Sequence, residues 1–437
     1  MVVSRSTQSV IGLADALMVA PLGAAALAST STGAINTFSL VILPMGTVFI
    51  VQSFASQYAG RGDLVSARRF AWYGLILAAL AQVMALAALP FVPRTLGLFG
   101  FEPQVREAIS GYMMIRLCST GFIIVTEALG NWFGGIGDTQ VQMRASILTM
   151  IANIALNWVF IFGHLGAPAM GVRGSALGSA LATLVGAVFM FVAFTAKQRE
   201  IVGGQPLALR MSEFLRVVRF GVPNGVNWFM EISAFTLFLN AVVSQLGTVV
   251  LASMNVILQL NSVSFMPAFA LASAGAILVG QAIGRAAKDE VPALVRLTMG
   301  VSLAWQGTVG LIYILFPRML IAPFATHGAE AEQLLKVGTL MLVLSAAWQL
   351  FDSVGVTVGE ALRAAGDTAW CMWARLAVAW ALFVPVSWWL IAHMRGGPAT
   401  VMLCVVGYLA ILSVVLYWRF RTGAWRRIEL TEHELPV

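Results

Sequence analysis

Long apolar stretches recur along almost the whole chain, and they constrain its fold more than any other feature. Each is about 20 residues or longer, the length that an α-helix needs to cross roughly 30 Å of hydrocarbon. Only 10% of the residues are charged, against about a quarter in a soluble chain. We therefore predict an all-α polytopic membrane protein with twelve transmembrane helices. They are expected at 6–28, 33–58, 70–92, 108–135, 141–163, 174–196, 220–245, 253–283, 293–316, 335–362, 370–393 and 399–418.

The basic residues indicate how these helices are oriented. With the N-terminus placed inside the cell, 19 of the 26 Lys and Arg residues fall on the cytoplasmic side, Arg375 among them, and Arg116 counts with the outer group. This excess is the positive-inside pattern. It predicts a multi-pass protein of the cytoplasmic (inner) membrane with both termini in the cytoplasm. The basic residues lie in short loops rather than on one face, so the net charge of +7 does not indicate nucleic-acid binding.

Two halves of the chain repeat the same landmarks. "PLGAAALAS" at 21–29 matches "QLGTVVLAS" at 245–253, and "GIGDT" at 135–139 matches "AAGDT" at 364–368. Six helices per half preserve the orientation, so the repeats are parallel, an arrangement found in transporters. The predicted organisation is an N-terminal six-helix lobe, a cytoplasmic linker, a C-terminal six-helix lobe and a cytoplasmic tail. Their expected ranges are 1–196, 197–219, 220–418 and 419–437.

Several motifs resemble those of the multidrug and toxic compound extrusion (MATE) family. They include "GLADALMVAPLGAAALAS", "VQSFASQYAGRGDLVSARR", "GVPNGVNWFMEISAF" and "FDSVGVTVGEALRAAGDT", and the loop "GHLGAPAMGVRG" with Glu231 is similar to the NorM-like branch. The resemblance covers nearly the whole chain. It implies two six-helix lobes around a V-shaped cavity, alternating access, and export of organic, often cationic compounds in exchange for Na+ or H+. The expected protein is a monomer in the lipid bilayer that takes small-molecule organic substrates and has no other cofactor.

An acid inside a membrane helix is costly and is a functional hypothesis by default. Asp15 is one such acid, and by resemblance it matches the cation site of the N-terminal lobe. Asn153 and Asn157, at i and i+4, share one helix face and offer oxygen ligands to a hard cation. Ser179 matches a family threonine, whereas Asn157 replaces an aspartate found in many members. The alternative is structural: hydroxyl or backbone groups satisfy the carboxylate, and the polar side chains join helices.

The C-terminal lobe offers two acids of its own, Glu231 and Asp352. Both matching positions are acidic in the NorM-like branch, where they are implicated in cation coupling. Two acids beside one cavity of low dielectric constant can share a proton or hold one monovalent cation. At an offset of 224 residues Asp15 aligns with Leu239, so the two candidate sites are not copies of each other.

The next helix carries a polar stripe, and aromatic and methionine residues lie near it. Asn255, Gln259 and Ser262 fall at i, i+4 and i+7, so they should face the cavity or another helix. We predict that the substrate cavity is lined by Asn255, Gln259, Ser262, Trp228, Met230 and Phe265. Packing inside the lobe or against lipid is the alternative for the last three.

Other classes of function find less support in the sequence. The chain contains no HExxH, CxxC or Walker A motif, so neither an enzyme nor a nucleotide-driven pump is predicted. A flippase for a lipid-linked or polysaccharide intermediate would share the fold, but basic residues for its phosphate would be expected inside the cavity. A non-transporting receptor or channel is a further alternative, disfavoured by the duplicated halves and by acids in both.

Overall fold

A computed structural model describes residues 2–202, 205–325 and 331–431 of the chain. Helices make up nearly all of this part, and no strand occurs in it. Residues 1–225 form one unit and residues 226–437 a second. The first unit contains α1 (Val2–Val19), α2 (Ala24–Val48), α3 (Val51–Gly60), α4 (Leu64–Ala88), α5 (Val92–Leu96), α6 (Pro103–Leu117), α7 (Thr120–Gly135), α8 (Thr139–Phe162) and α9 (Gly171–Val202).

The second unit begins inside α10 (Met211–Leu237), which continues into a π-helical turn at Phe238–Val242. After it come α11 (Thr248–Gly284), α12 (Val291–Leu315), α13 (Pro317–Ile321), α14 (Ala331–Ala365), α15 (Thr368–Leu376), α16 (Val384–Ala392) and α17 (Pro398–Arg421). A second π-helical turn, Ala377–Phe383, joins α15 to α16. The rings of Phe238 and Phe383, one from each π-helical turn, lie 4.7 Å apart between centroids.

The described residues account for the predicted spans with two differences of detail. Ten helices are long and apolar enough to cross a membrane, and the pair α6 and α7 makes an eleventh with a bend of 47°. The predicted span 108–135 is this bent pair, since the helix breaks at Cys118 and Ser119. The predicted span 6–28 is shorter than expected: its apolar helix covers only Val10–Leu22, and a new helix begins at Ala24.

The internal repeat extends to the backbone conformation. Gly23 (φ 103°, ψ 168°) and Gly247 (φ 92°, ψ 173°) lie 224 residues apart, and each follows a short 3₁₀ turn and precedes a long helix. Gly137 (φ 91°) and Gly366 (φ 92°) also correspond. Such positive φ angles favour glycine, which has no Cβ to clash with the backbone. Both halves therefore break their helices at equivalent positions, as the two matching motifs predict.

Residues 211–225, at the start of α10, belong to the first unit in the structure. Asn224 donates a hydrogen bond of 2.7 Å to the carbonyl oxygen of Gly46, and Gly221 and Gly225 lie directly against the backbone of α2 at Leu43 and Thr47. These helical turns are thus part of the packing of the first unit.

Small residues allow the helices of each unit to approach closely. A Cβ on Gly74 of α4 would lie 2.8 Å from the Cβ of Ala128, and one on Gly135 of α7 would lie 2.6 Å from that of Ala55. Helices in lipid gain stability mainly from such close packing and from interhelical hydrogen bonds. Trp132, fully buried, supplies one of these bonds by donating to the carbonyl oxygen of Ala67 at 2.9 Å.

Candidate functional site

The first unit collects its candidate residues around the carboxylate of Asp15. Asn157 donates from Nδ2 to Oδ1 of Asp15 at 2.5 Å, and Ser179 donates to Oδ2 at 3.4 Å. Asn153 donates to the hydroxyl of Ser179 at 3.0 Å. Helices α1, α8 and α9 thus place the four residues named from the sequence in one polar cluster. Asn153 and Asn157 are fully buried on one face of α8, as their i, i+4 spacing indicates.

An arginine accompanies this cluster. Arg116, in the last turn of α6, lies close enough to Asp15 to interact with it electrostatically. Its Nη1 atom is buried and has no hydrogen-bond partner in the described part of the chain. The sequence assigned Arg116 to the outer group of basic residues. In the structure it lies at the end of a helix of the bent pair, within reach of the acid.

The second unit contains a cavity of about 180 Å³, and both candidate acids of this unit line it. Asp352 on α14 is buried and accepts a hydrogen bond from Nε2 of Gln306 at 2.9 Å. Glu231 on α10 lines the same cavity, and its carboxylate forms an ion pair with Arg375 on α15. Phe235, Phe265 and Trp348 are among the apolar side chains of the lining.

The sequence predicts that Glu231 and Asp352 share one proton or hold one cation together, but in the structure each carboxylate has a partner of its own. The two carboxylates interact electrostatically, but a guanidinium group satisfies one of them and a carboxamide the other. The sequence placed Arg375 among the cytoplasmic basic residues and did not predict its partner; in the structure its side chain is 16% exposed and pairs with Glu231 inside the unit. A single arginine within the predicted span 370–393 was the sequence signal that could have revealed this buried ion pair.

A second polar layer borders the same cavity. Gln349 accepts a hydrogen bond of 2.7 Å from the hydroxyl of Ser264 and donates to the side-chain oxygen of Asn261. Neither Gln349 nor Asn261 was named from the sequence. Among the described residues, no cluster of three His, Cys, Asp or Glu side chains could hold a metal ion.

The predicted stripe on α11 is only partly directed at this cavity. Ser262 and Phe265 line it, whereas Asn255 and Gln259 are exposed. Asn261 and Ser264 of α11 are buried and make side-chain hydrogen bonds with Gln349 of α14. Trp228 packs edge-on against Phe269 with centroids 6.1 Å apart, and Met230 accepts a hydrogen bond from Trp380 through its backbone carbonyl at 3.2 Å. Their role in binding substrate stays a prediction.

Long apolar helices, a duplicated six-helix plan and buried acids surrounded by polar groups define a polytopic membrane transporter. The sequence profile of the MatE family matches residues 1–159 and 223–389. The chain belongs to this family of multidrug efflux transporters, as its motifs predicted.

Individual relatives agree with this assignment. A probable multidrug resistance protein NorM from Rhizobium meliloti is 29% identical over 425 residues, covering 95% of this chain and 90% of the relative. A protein of the same description from Thermotoga maritima is 27% identical over 370 residues, covering 84% and 78%.

Solved structures show the same fold. An outward-facing MATE transporter of the MOP superfamily aligns with a TM-score of 0.87 at 19% identity, over 98% of this chain and 95% of that one. A MOP superfamily transporter from Pyrococcus furiosus aligns with the same TM-score, identity and coverage, and is described as having a binding pocket of reverse polarity that suggests a different function. At this identity the likeness supports the fold alone, and function has to be argued from the residues of this chain.

Proposed function

We propose that the protein is a secondary active antiporter that exports organic, cationic compounds in exchange for Na+ or H+ by alternating access. The observation that carries the proposal is the cavity of the second unit, because it brings two membrane acids together on α10 and α14. An acidic side chain inside a membrane-spanning helix stabilises a bound cation or proton, and an ionised carboxylate there without such a partner costs free energy. The coupling ion therefore changes the relative energies of conformations, which is what exchange requires.

The acid of the first unit gives a second candidate coupling position. Asp15, Asn153, Asn157 and Ser179 form one hydrogen-bonded cluster. Asn157 adds no charge to it, so this cluster holds one carboxylate where a paired site would have two. We propose that the cavity of the second unit binds the coupling ion and that the cluster at Asp15 contributes to the transport cycle. We also propose that the protein works as a monomer in the cytoplasmic membrane with both termini inside.

The substrate would be an organic cation with aromatic character. Trp228 and Met230 supply the kind of soft, polarisable surface that accommodates varied aromatic molecules, whereas Phe265 lines the small cavity of the second unit. The cavity of about 180 Å³ is smaller than the roughly 300–1,000 Å³ of a typical drug-sized site. We therefore assign it to the coupling ion, and the predicted lining residues Asn255 and Gln259, which are exposed, to a separate substrate surface.

Ethidium efflux from cells that express the protein tests this function. We expect wild type to expel ethidium and the variants Asp15→Asn, Glu231→Gln and Asp352→Asn to lose at least part of that activity. Repeating the assay with and without Na+ identifies the coupling ion. Glu107→Gln is the matched control, since the Glu107 side chain is 77% exposed. Unchanged efflux in all three site variants, with normal amounts of protein in the membrane, would contradict the assignment.

A further inference from the structure

Two acids, Glu231 and Asp352, line the cavity of the second unit, and an arginine outside this lining pairs with one of them. Arg375 lies in the last turn of α15, directly before the π-helical turn Ala377–Phe383. It forms the ion pair with Glu231 and also interacts electrostatically with Asp352. Arginine keeps its proton in proteins even when it is buried, so this guanidinium group is a permanent positive charge.

Counting charges shows what the cavity lacks. The charges of Glu231 and Arg375 cancel, and among the described residues Asp352 has neutral Gln306 as its hydrogen-bond donor. The three charged groups together therefore carry one net negative charge, which one positive charge would balance. Oε1 of Gln306 is buried and has no hydrogen-bond partner among the described residues. This oxygen and the Asp352 carboxylate are the kind of ligands that a hard monovalent cation prefers.

The volume of the cavity limits what can supply that charge. The cavity of about 180 Å³ is smaller than the roughly 300–1,000 Å³ of a drug-sized site. It has room for a partly hydrated Na+ or a hydrated proton.

The first unit neutralises its own acid in a related way. Arg116 interacts electrostatically with Asp15, whose carboxylate otherwise contacts only neutral amide and hydroxyl groups in the described hydrogen bonds. Asp15 and Arg116 together carry no net charge. An extra cation at Asp15 would therefore meet a competing guanidinium group nearby.

We infer that Arg375 is the tethered counter-ion of Glu231, and that Asp352, with Gln306, is the single position at which the coupling ion binds. The inference rests on the proposed antiport function and gives Glu231 a different role within it. Glu231 holds Arg375 away from Asp352 rather than binding the ion itself. Without Glu231, Arg375 pairs with Asp352 and occupies the ion site from inside the protein.

A rescue experiment separates this role from direct ion binding. Purified protein is reconstituted in liposomes, and ethidium transport is driven by an imposed Na+ or proton gradient. We expect Glu231→Gln to lower the gradient-driven rate by about tenfold or more. Adding Arg375→Met removes the released guanidinium group, and the double variant should recover to within about threefold of wild type, because the two sites are energetically coupled.

The controls decide between the two roles. Asp352→Asn should abolish gradient-driven transport in the wild type and in both Glu231 variants, whereas Gln245→Leu, at an exposed position, should leave it unchanged. Folding is checked by thermal unfolding and by a single symmetric peak in size-exclusion chromatography. A folded double variant that is as inactive as Glu231→Gln would overturn the inference, because Glu231 would then be needed for itself.

A second measurement needs no substitution. If one monovalent ion enters for each ethidium cation that leaves, exchange by wild type moves no net charge. A membrane potential of about 100 mV, imposed with K+ and valinomycin, acts strongly on any net charge that crosses and should here leave the rate unchanged. A rate that follows the potential would overturn the inference of a single ion site. Absence of any gradient-driven transport in wild type would instead contradict the proposed antiport function.

Discussion

The side-chain amide of Asn157 donates a hydrogen bond of 2.5 Å to the carboxylate of Asp15. This contact joins α8 to α1, and Ser179 extends it to α9. The acid in the first helix is thus satisfied by neutral donors from two other helices. Such an arrangement stabilises the carboxylate without adding a second negative charge, which limits its attraction for a cation.

A second carboxylate at this contact should create a cation site. In Asn157→Asp, two carboxylates would lie within hydrogen-bonding distance of each other, and like charges this close are stabilised by a bound cation or a shared proton. We expect Na+ to raise the unfolding temperature of this variant by several degrees more than that of wild type. Thermal unfolding in detergent at increasing NaCl concentration, with choline chloride as the ionic-strength control, measures the effect.

The matched control for that substitution is Asn240→Asp, because the Asn240 side chain lies in an exposed hydrogen bond to the Thr236 carbonyl. It should show the wild-type response to Na+. If Asn157→Asp and Asn240→Asp respond equally, the carboxylate of Asp15 is not near enough to form a shared site.

Gly178 on α9 is required for the packing that positions Asn157. A Cβ at this position would collide with Oδ1 of Asn157 and lie 3.0 Å from its backbone nitrogen. Gly178→Ala should lower the free energy of unfolding by about 1–3 kcal/mol, the usual cost of overpacking, and reduce efflux as Asn157 moves. Gly307→Ala on α12 is the control, since a Cβ there meets no atom within 4 Å. Equal unfolding temperatures for the two variants would contradict the predicted collision.

Arg68 fixes the segment that leads into α10. Its guanidinium group is buried and donates to the carbonyl oxygens of Gln205 and Pro206 at 3.2 and 2.7 Å. Arg68→Met leaves both carbonyls without this donor, so the segment should open more often and be cleaved several-fold faster by a protease. Limited proteolysis of the purified protein measures the rate, with exposed Arg199→Met as the control. Identical cleavage in the two variants would show that the two hydrogen bonds do not restrain the segment.

Gln306 should determine how well the coupling ion binds. Gln306→Leu removes the donor to Asp352 and the buried Oε1 atom, while the volume of the side chain stays similar. We expect the ion concentration for half-maximal ethidium transport to rise by about tenfold, which corresponds to the loss of about 1.4 kcal/mol. Gln245→Leu, at an exposed position, should leave it unchanged. A normal ion dependence in Gln306→Leu would exclude Gln306 from the ion site.

The sequence predicted the class, the duplicated plan and the family because these depend on features that repeat over long distances. Long apolar stretches determine the helices, and glycine at matching positions marks equivalent breaks. The resemblance to the family predicted the cluster around Asp15, and the i, i+4 spacing of Asn153 and Asn157 predicted that they share one side of α8.

Arg375 could not be assigned in the same way. Counting basic residues gives each a side of the membrane, but the pairing of one residue with an acid on another helix depends on tertiary packing. The same reason explains why Gln306 was missed and why Asn261 and Ser264, rather than Asn255 and Gln259, face the neighbouring helices. A polar stripe on an apolar helix predicts that one face makes polar contacts. Which residues make those contacts depends on how the helices are rotated against one another.

The central claim is that an ion bound at Asp352 drives export. The most direct test is gradient-driven ethidium transport by purified wild type and Asp352→Asn in liposomes, with Na+ and proton gradients imposed separately. Wild type should accumulate ethidium against its concentration gradient under one of the two ion gradients, and Asp352→Asn should only equilibrate it. Uphill transport by a folded Asp352→Asn variant at the wild-type rate would contradict the account.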